Sequence, residues 1–541
     1  MTRPRYGFGG LTAAVLFFCL SLTPSLLPRE WLFQGVISGV LTAIGYGLGV
    51  LLVWLGEQLS GRAFRRPGRS AWLSLAVAAG VLCAVFLVLG SIWQARIHRL
   101  LDMEPSPPFW YVLVLPVAAV TAALLVGLCR LVRDGTRWVA ARLGRRVPAA
   151  AARVIAGVAV VALLIGVLNG VVLRGAFAAA DASFRTLNGE TDPESAPTAD
   201  AFRSGGPGSL VSWDSLGNQG RRFVAGGPSR AELEMFNGTK IKDPVRVYVG
   251  LDAAGESRER ADLAVAELRR TGAFERAVLC LITTTGTGWV NARGVDPLEY
   301  MYGGDTALVA LQYSYLPSPI SFLVDKERAR EAGRDLFDAV YASWSALPRD
   351  QRPRLLVFGE SLGSFGAEAA FSGPADIRNR VDGMLLVGPP NMNELWNEYL
   401  DDRDEGTREI LPTYERGATV RFAAVPSDLD DPGPAWSGPR VVYLQYASDP
   451  ITWWSPRLMI SRPDWLRERR GPDVLSTVRW YPFVTFWQVT ADMAVSNGVP
   501  DGHGHNFGAM PVAAWARIAP PPGWTDARTA ALTEVIAAER S

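Results

Sequence analysis

Apolar residues change their arrangement once along this chain. Up to about residue 174 they run in long, nearly unbroken blocks, and beyond residue 245 they come in short runs separated by amphipathic stretches. A helix crosses the hydrocarbon layer with about 20 mostly apolar residues, because it satisfies its own backbone hydrogen bonds there. Five blocks approach that length, approximately Phe8 to Leu27, Trp31 to Gly56, Ala71 to Trp93, Phe109 to Cys129 and Ala152 to Leu173. They predict an amino-terminal helical transmembrane bundle of about five spans over residues 1–174. Arg3 and Arg5 precede the first block as in a signal peptide, but no Ala-x-Ala site follows, so a retained helix is expected.

Past a breaker-rich connector or cap (residues 175–240), β-branched runs alternate with helical periodicity through residues 241–541. Strands are expected at Val245–Gly250, Ala277–Thr284, Thr306–Tyr315, Arg354–Phe358, Gly383–Val387, Arg440–Tyr446 and Tyr481–Trp487. Helices are expected at Arg258–Thr271, at Lys326–Leu347 and from Phe365. This alternation is that of an α/β domain, a mostly parallel sheet with helices on both faces. A charged segment at residues 391–438 is expected to form a lid insertion.

Charge refines the picture locally. The net charge of +1 gives no reason to expect nucleic acid as a partner. Arginines crowd the loops after the second block (Arg62, Arg65, Arg66, Arg69) and after the fourth (Arg130, Arg133, Arg137, Arg142, Arg145, Arg146), which should place both in the cytoplasm. The domain after the fifth block is then extracytoplasmic, on a multi-pass plasma-membrane protein. Only Arg153 is ionisable within the blocks, so an anchor or oligomerisation module is expected, not a transport path. The four cysteines (Cys19, Cys83, Cys129, Cys280) lie in apolar runs without metal spacing or an evident disulfide partner.

The candidate chemistry lies at strand ends, where sheets of this kind bind ligands. The run Arg354–Phe358 leads into Gly359-Glu360-Ser361-Leu362-Gly363 and then a helix, the G-x-S-x-G turn that lifts a serine hydroxyl above a sheet. Such a hydroxyl needs a base, itself oriented by a carboxylate, in chain order serine, acid, histidine. Asp449 closes its strand before Pro450 and is the expected acid, with Asp428, Asp430 and Asp431 as weaker alternatives. Of three histidines, His98 lies in the membrane half, so the base is His503, preferred for its flanking glycines, or His505. Oxyanion donors are expected from the Leu362 amide and from the loop Thr284–Trp289, with Thr287 the best candidate. No cofactor or metal is expected, since the two histidines lack a third ligand.

Longer strings carry a resemblance. They are Trp213-Asp214-Ser215-Leu216-Gly217, Thr285-Gly286-Thr287-Gly288-Trp289-Val290, Gln312-Tyr313-Ser314-Tyr315-Leu316, Gly359-Glu360-Ser361-Leu362-Gly363, Gly388-Pro389-Pro390 and Gly502-His503-Gly504-His505. With the amino-terminal spans, they resemble actinobacterial membrane-anchored α/β-hydrolases of the α/β-hydrolase-9 type. The resemblance implies that fold and a serine hydrolase. The expected activity is an esterase or lipase cleaving acyl esters at the outer face of the lipid bilayer, with Trp289, Trp453 and Trp454 near the pocket. The alternative is an acyltransferase moving an acyl group to an envelope lipid or sugar. A non-catalytic binding protein on the same fold is the third reading.

Overall fold

The computed structural model describes residues 6–64, 67–144, 148, 160, 184–193, 195–238, 240–317, 321, 326–430, 433 and 435–538. Among these, the amino-terminal part forms the helices α1 (Phe8–Ser21), α2 (Trp31–Ser60), α3 (Arg69–Leu100) and α4 (Val114–Leu143). Three helices among the described residues are long and apolar enough to cross a membrane. The first expected span is shorter than the pattern suggested. α1 has 14 residues, about 21 Å at 1.5 Å per residue, against a layer of about 30 Å. It stops where Pro24 and Pro28, lacking amide hydrogens, turn the chain toward α2. The fifth expected span falls outside the described residues. Large side chains such as Leu73, Leu124, Leu128 and Leu131 are exposed, as suits helices solvated by lipid. Small residues bring the helices close: a Cβ on Gly49 would lie 2.4 Å from Gly9 O, and one on Gly39 2.8 Å from Ala118 O.

The chain divides into two compact units, Met1–Ala178 with Trp454–Pro500, and Ala179–Trp453 with Asp501–Ser541. The expected continuous domain over 241–541 is therefore interrupted: residues 454–500 belong with the apolar amino-terminal helices. Within them the expected strand Tyr481–Trp487 is instead the start of helix Val484–Met493. Its first turn, rich in apolar β-branched and aromatic residues, is strand-like, but Gln488 and Asp492, four apart, share one helical face. That face meets the turn between α1 and α2. Arg29 Nε donates to Asp492 Oδ1 at 2.8 Å, and the pair has no exposed side-chain surface.

Among the described residues the second unit holds seven strands: β1 (Val245–Val249), β2 (Val278–Thr283), β3 (Thr306–Leu311), β4 (Arg354–Glu360), β5 (Gly383–Val387), β6 (Val420–Ala423) and β7 (Arg440–Leu444). They are ordered β1-β3-β2-β4-β5-β7-β6 and every pairing is parallel. Helices cover the sheet, which explains why its strands read as unbroken apolar runs. β3 and β4 lie on opposite sides of β2, so the chain reverses direction between β2 and β4 and leaves a crevice beyond their carboxyl ends. The expected lid segment contributes helix Glu394–Asp401 and the edge strand β6, so it is in part sheet.

The connector docks on the sheet edge through α5 (Gly217–Ala225). Arg246 on β1 donates to Phe223 O at 2.9 Å, to Glu299 Oε1 at 2.9 Å and to the Asp296 carboxylate. Its guanidinium also lies 4.9 Å from the Phe223 ring. Asp296 and Glu299 sit on α6 (Ala292–Met301), so one buried cation ties connector, sheet and helix together.

Candidate active site

β4 follows α7 (Lys326–Ser345), and Ser361 occupies the turn between β4 and α8 (Leu362–Glu368) with φ +53 and ψ −125, a conformation a side chain adopts only under strain. The surrounding structure holds it there. The Ser361 amide donates to Val387 O at 2.8 Å, and its carbonyl accepts from the Ser364 amide at 2.9 Å and the Ser364 hydroxyl at 2.7 Å. The flanking glycines supply space: a Cβ on Gly359 would stand 2.5 Å from Gly363 O, and one on Gly363 2.3 Å from Thr283 O. Leu362 opens α8, at a position whose amide has no acceptor within the helix.

Asp449 lies beyond β7, fully buried at the start of the short helix Pro450–Trp453. Its Oδ1 accepts from the Ile451 amide at 2.8 Å, and its Oδ2 from Thr452 Oγ1 at 3.2 Å. The same Oδ2 lies 2.7 Å from His505 Nδ1. A carboxylate only accepts, so Nδ1 carries the proton and Nε2 presents its lone pair. That Nε2 is buried and has no hydrogen-bond partner among the described residues. The imidazole rests on Gly388, where a Cβ would lie 2.3 Å from its Cε1. Gly388 directly follows Val387, the acceptor of the Ser361 amide, so serine, acid and histidine converge on the carboxyl ends of β4, β5 and β7.

The preference for His503 over His505 is therefore reversed in position. His503 O accepts from the Asn506 amide at 3.0 Å and the Gly504 amide donates to Ser448 Oγ at 2.8 Å, a tight turn that presents His505 to Asp449. The alternative acids lie elsewhere. Asp428 accepts from the Ala424 and Val425 amides, Asp430 pairs with Arg517 at 2.7 Å, and Asp431 falls outside the described residues. Thr287 is also drawn away, since its carbonyl accepts from Gln312 Nε2 at 2.8 Å on the β3 side. Against the serine turn lie Thr283, the last residue of β2, and Thr284, the first of that loop. Of the three tryptophans, Trp289 is 37% exposed, while Trp453 is wholly buried with its Nε1 on Tyr446 O, and Trp454 belongs to the other unit.

One group was not anticipated. Glu360, the variable residue before Ser361, is buried and accepts from Asn291 Nδ2 at 2.8 Å. Burial pushes its carboxyl up, against the opposing pulls of His505 and Asn291. Burial also disfavours the charged His505 ring, but Asp449, with Glu360 adding to it, outweighs this and holds its pKa above 6.5. A cleft of about 520 Å³, lined by Arg354, Arg378, Asp382 and Arg440, lies at the amino ends of the strands, away from this chemistry.

An alpha/beta-hydrolase family model matches residues 245–532, and a model of the amino-terminal part of that family matches residues 22–228. No curated protein matches the chain, and no solved structure does.

Proposed function

Because the chain belongs to the alpha/beta-hydrolase family, we propose that it is a serine hydrolase that cleaves acyl esters through an acyl-enzyme on Ser361. In this reading His505 Nε2 takes the serine proton as the hydroxyl attacks the ester carbonyl, and Asp449 holds the ring in the required tautomer. His505 then returns the proton to the departing alcohol, and water releases the acid by the same route in reverse. The Leu362 amide stabilises the oxyanion, and Thr287 takes no part. The observation that carries the reading is the 2.7 Å contact of Asp449 with His505, whose other nitrogen is buried and has no hydrogen-bond partner among the described residues.

Fluorophosphonate labelling of the full-length protein in detergent tests it. Ser361→Ala and His505→Ala should abolish labelling and His503→Ala should retain it; labelling of Ser361→Ala at the normal rate refutes the assignment. Product analysis with added alcohols then shows whether the acyl group goes to water or to a second acceptor.

The reading places this site on the extracytoplasmic face. Supporting it, arginines crowd the connection after α2 (Arg62, Arg69) and the last turns of α4 (Arg130, Arg133, Arg137, Arg142), the ends expected to face the cytoplasm. A reporter-fusion map placing residue 300 in the cytoplasm would overturn the orientation.

A further inference from the structure

Behind the nucleophile turn lies a buried carboxyl that the reaction above does not use. Glu368 ends α8, the helix that Leu362 opens, and four groups aim hydrogens at it. Its Oε1 accepts from Asn393 Nδ2 and from Tyr443 Oη, each at 2.8 Å, and its Oε2 from the Leu395 amide at 3.0 Å, while the Trp396 amide adds a fourth bond. Both amides lie in the first turn of helix Glu394–Asp401, where no acceptor exists within the helix. An anion suits this setting, because a carboxylic acid has a proton of its own to place. Burial works in the opposite sense and raises the pKa from 4.5 to about 7, so the two forms exchange near neutrality.

A chain of hydrogen bonds runs from this carboxyl to the nucleophile. Asn393 Nδ2 also donates to Ser364 Oγ at 3.2 Å, and Ser364 Oγ donates to Ser361 O at 2.7 Å. The direction of each bond is fixed. Ser364 has a single hydroxyl hydrogen and gives it to Ser361, so toward Asn393 it only accepts. Turning the Asn393 amide over would set its Oδ1 against a carboxylate oxygen; as it stands, Oδ1 is buried with no hydrogen-bond partner among the described residues. Leaving that oxygen unpaired is unfavourable, and the charge-assisted bond to Glu368, roughly twice as strong as a neutral one, outweighs it. Ser364, Glu368 and Asn393 are all buried, and Ser361 is the residue held at φ +53. A hold on its carbonyl is a hold on the strained turn.

We propose that Glu368 is a positioning residue for catalysis: as a carboxylate it holds Asn393, and through Asn393 and Ser364 it holds the carbonyl of Ser361 and keeps the hydroxyl in place for attack. The inference rests on the assignment of Ser361 to the reaction. It gives a reason for an anion in this position, since a neutral side chain of similar volume would be easier to bury. Protonation weakens the bond to Asn393 and slackens the turn, so the site is tightest above neutral pH. The titratable groups around Glu368 are Tyr443 on β7, Tyr399 and Glu398 on helix Glu394–Asp401, and Tyr414 and Arg378 beyond Tyr399. Burial lifts the Tyr399 and Tyr443 phenols well above their usual range, so both stay neutral where Glu368 changes charge.

The test labels the full-length protein in detergent with a soluble fluorophosphonate between pH 5.5 and 8.5, comparing wild type with Glu368→Gln, which carries no charge at any pH. At pH 8 the variant should be labelled about tenfold more slowly at saturation, with the half-saturating probe concentration unchanged. Below pH 6 the two rates should converge, because wild-type Glu368 is then neutral as well; protonation of His505 slows both alike and leaves their ratio untouched. A general loss of stability would not make the ratio follow the titration of Glu368. Ser364→Ala, which cuts the chain at its last link, should also slow labelling at pH 8, and adding Glu368→Gln to it should change nothing further. If Ser364→Ala does not fold, the pH dependence of the ratio decides. A ratio that stays constant across the range, or a double variant slowed by the full factor beyond Ser364→Ala, overturns the proposal alone, provided Ser361→Ala is unlabelled; a normally labelled Ser361→Ala overturns it together with the site assignment.

Discussion

Glu368 closes α8, the helix that begins at the nucleophile, and its replacement by Gln tests how the site is supported. The carboxylate is buried and accepts from Asn393 Nδ2 at 2.8 Å, Tyr443 Oη at 2.8 Å and the Leu395 amide at 3.0 Å. Burial outweighs these donors and raises its pKa from 4.5 to about 7. A carboxyl whose folded pKa is raised supports the fold fully below pH 4.5, and that support is lost as pH rises through 7. The interval corresponds to about 3 kcal/mol, at 1.36 kcal/mol per pH unit. Glu368→Gln cannot ionise, so its stability relative to wild type should improve by about that amount between pH 4.5 and pH 8, and be level outside that window. Denaturant unfolding of the full-length protein in detergent, followed by tryptophan fluorescence at half-unit pH steps, measures the difference. Wild-type and variant curves that run parallel across the window would refute the idea that burial governs this carboxyl.

Three further outcomes follow from the geometry. Arg246→Met leaves Asp296 and Glu299 buried without their cation and should cost about 3–5 kcal/mol in denaturant unfolding. Gly363→Ala puts a methyl 2.3 Å from Thr283 O and should destabilise by about 1–3 kcal/mol and slow labelling, whereas Gly255→Ala, whose nearest neighbour is 3.6 Å away, should do neither. Since the base must be neutral to accept the serine proton, and Asp449 holds His505 in its charged form, wild-type labelling should fall off on acidification with a midpoint above pH 6.5. A midpoint below that value would count against the Asp449–His505 contact in solution.

The serine turn was legible because local rules write it: an apolar strand, two glycines, then a helix. The strain of that turn sits on Ser361, and the glycines make room for it. The choice between His503 and His505 was not legible, because residues two apart in a loop differ only in where the turn points them, and that depends on Ser448, distant in sequence. Residues Tyr481–Trp487 read as strand because apolar β-branched and aromatic residues dominate them. The docking of Gln488 and Asp492 that makes them helical involves partners more than 460 positions away. The same long range hid the assignment of residues 454–500 to the membrane helices. Thr287 was chosen by composition, and Gln312, on another strand, set its direction.

The Arg29–Asp492 contact spans 463 positions of sequence. At about 5–20 residues per second of synthesis, roughly 25–90 s separate the appearance of its two halves. The α1–α2 turn is made first and keeps a guanidinium without its carboxylate for the whole of that interval. All seven strands named above are synthesised within it, so the sheet of the second unit is complete in sequence before the turn receives its partner.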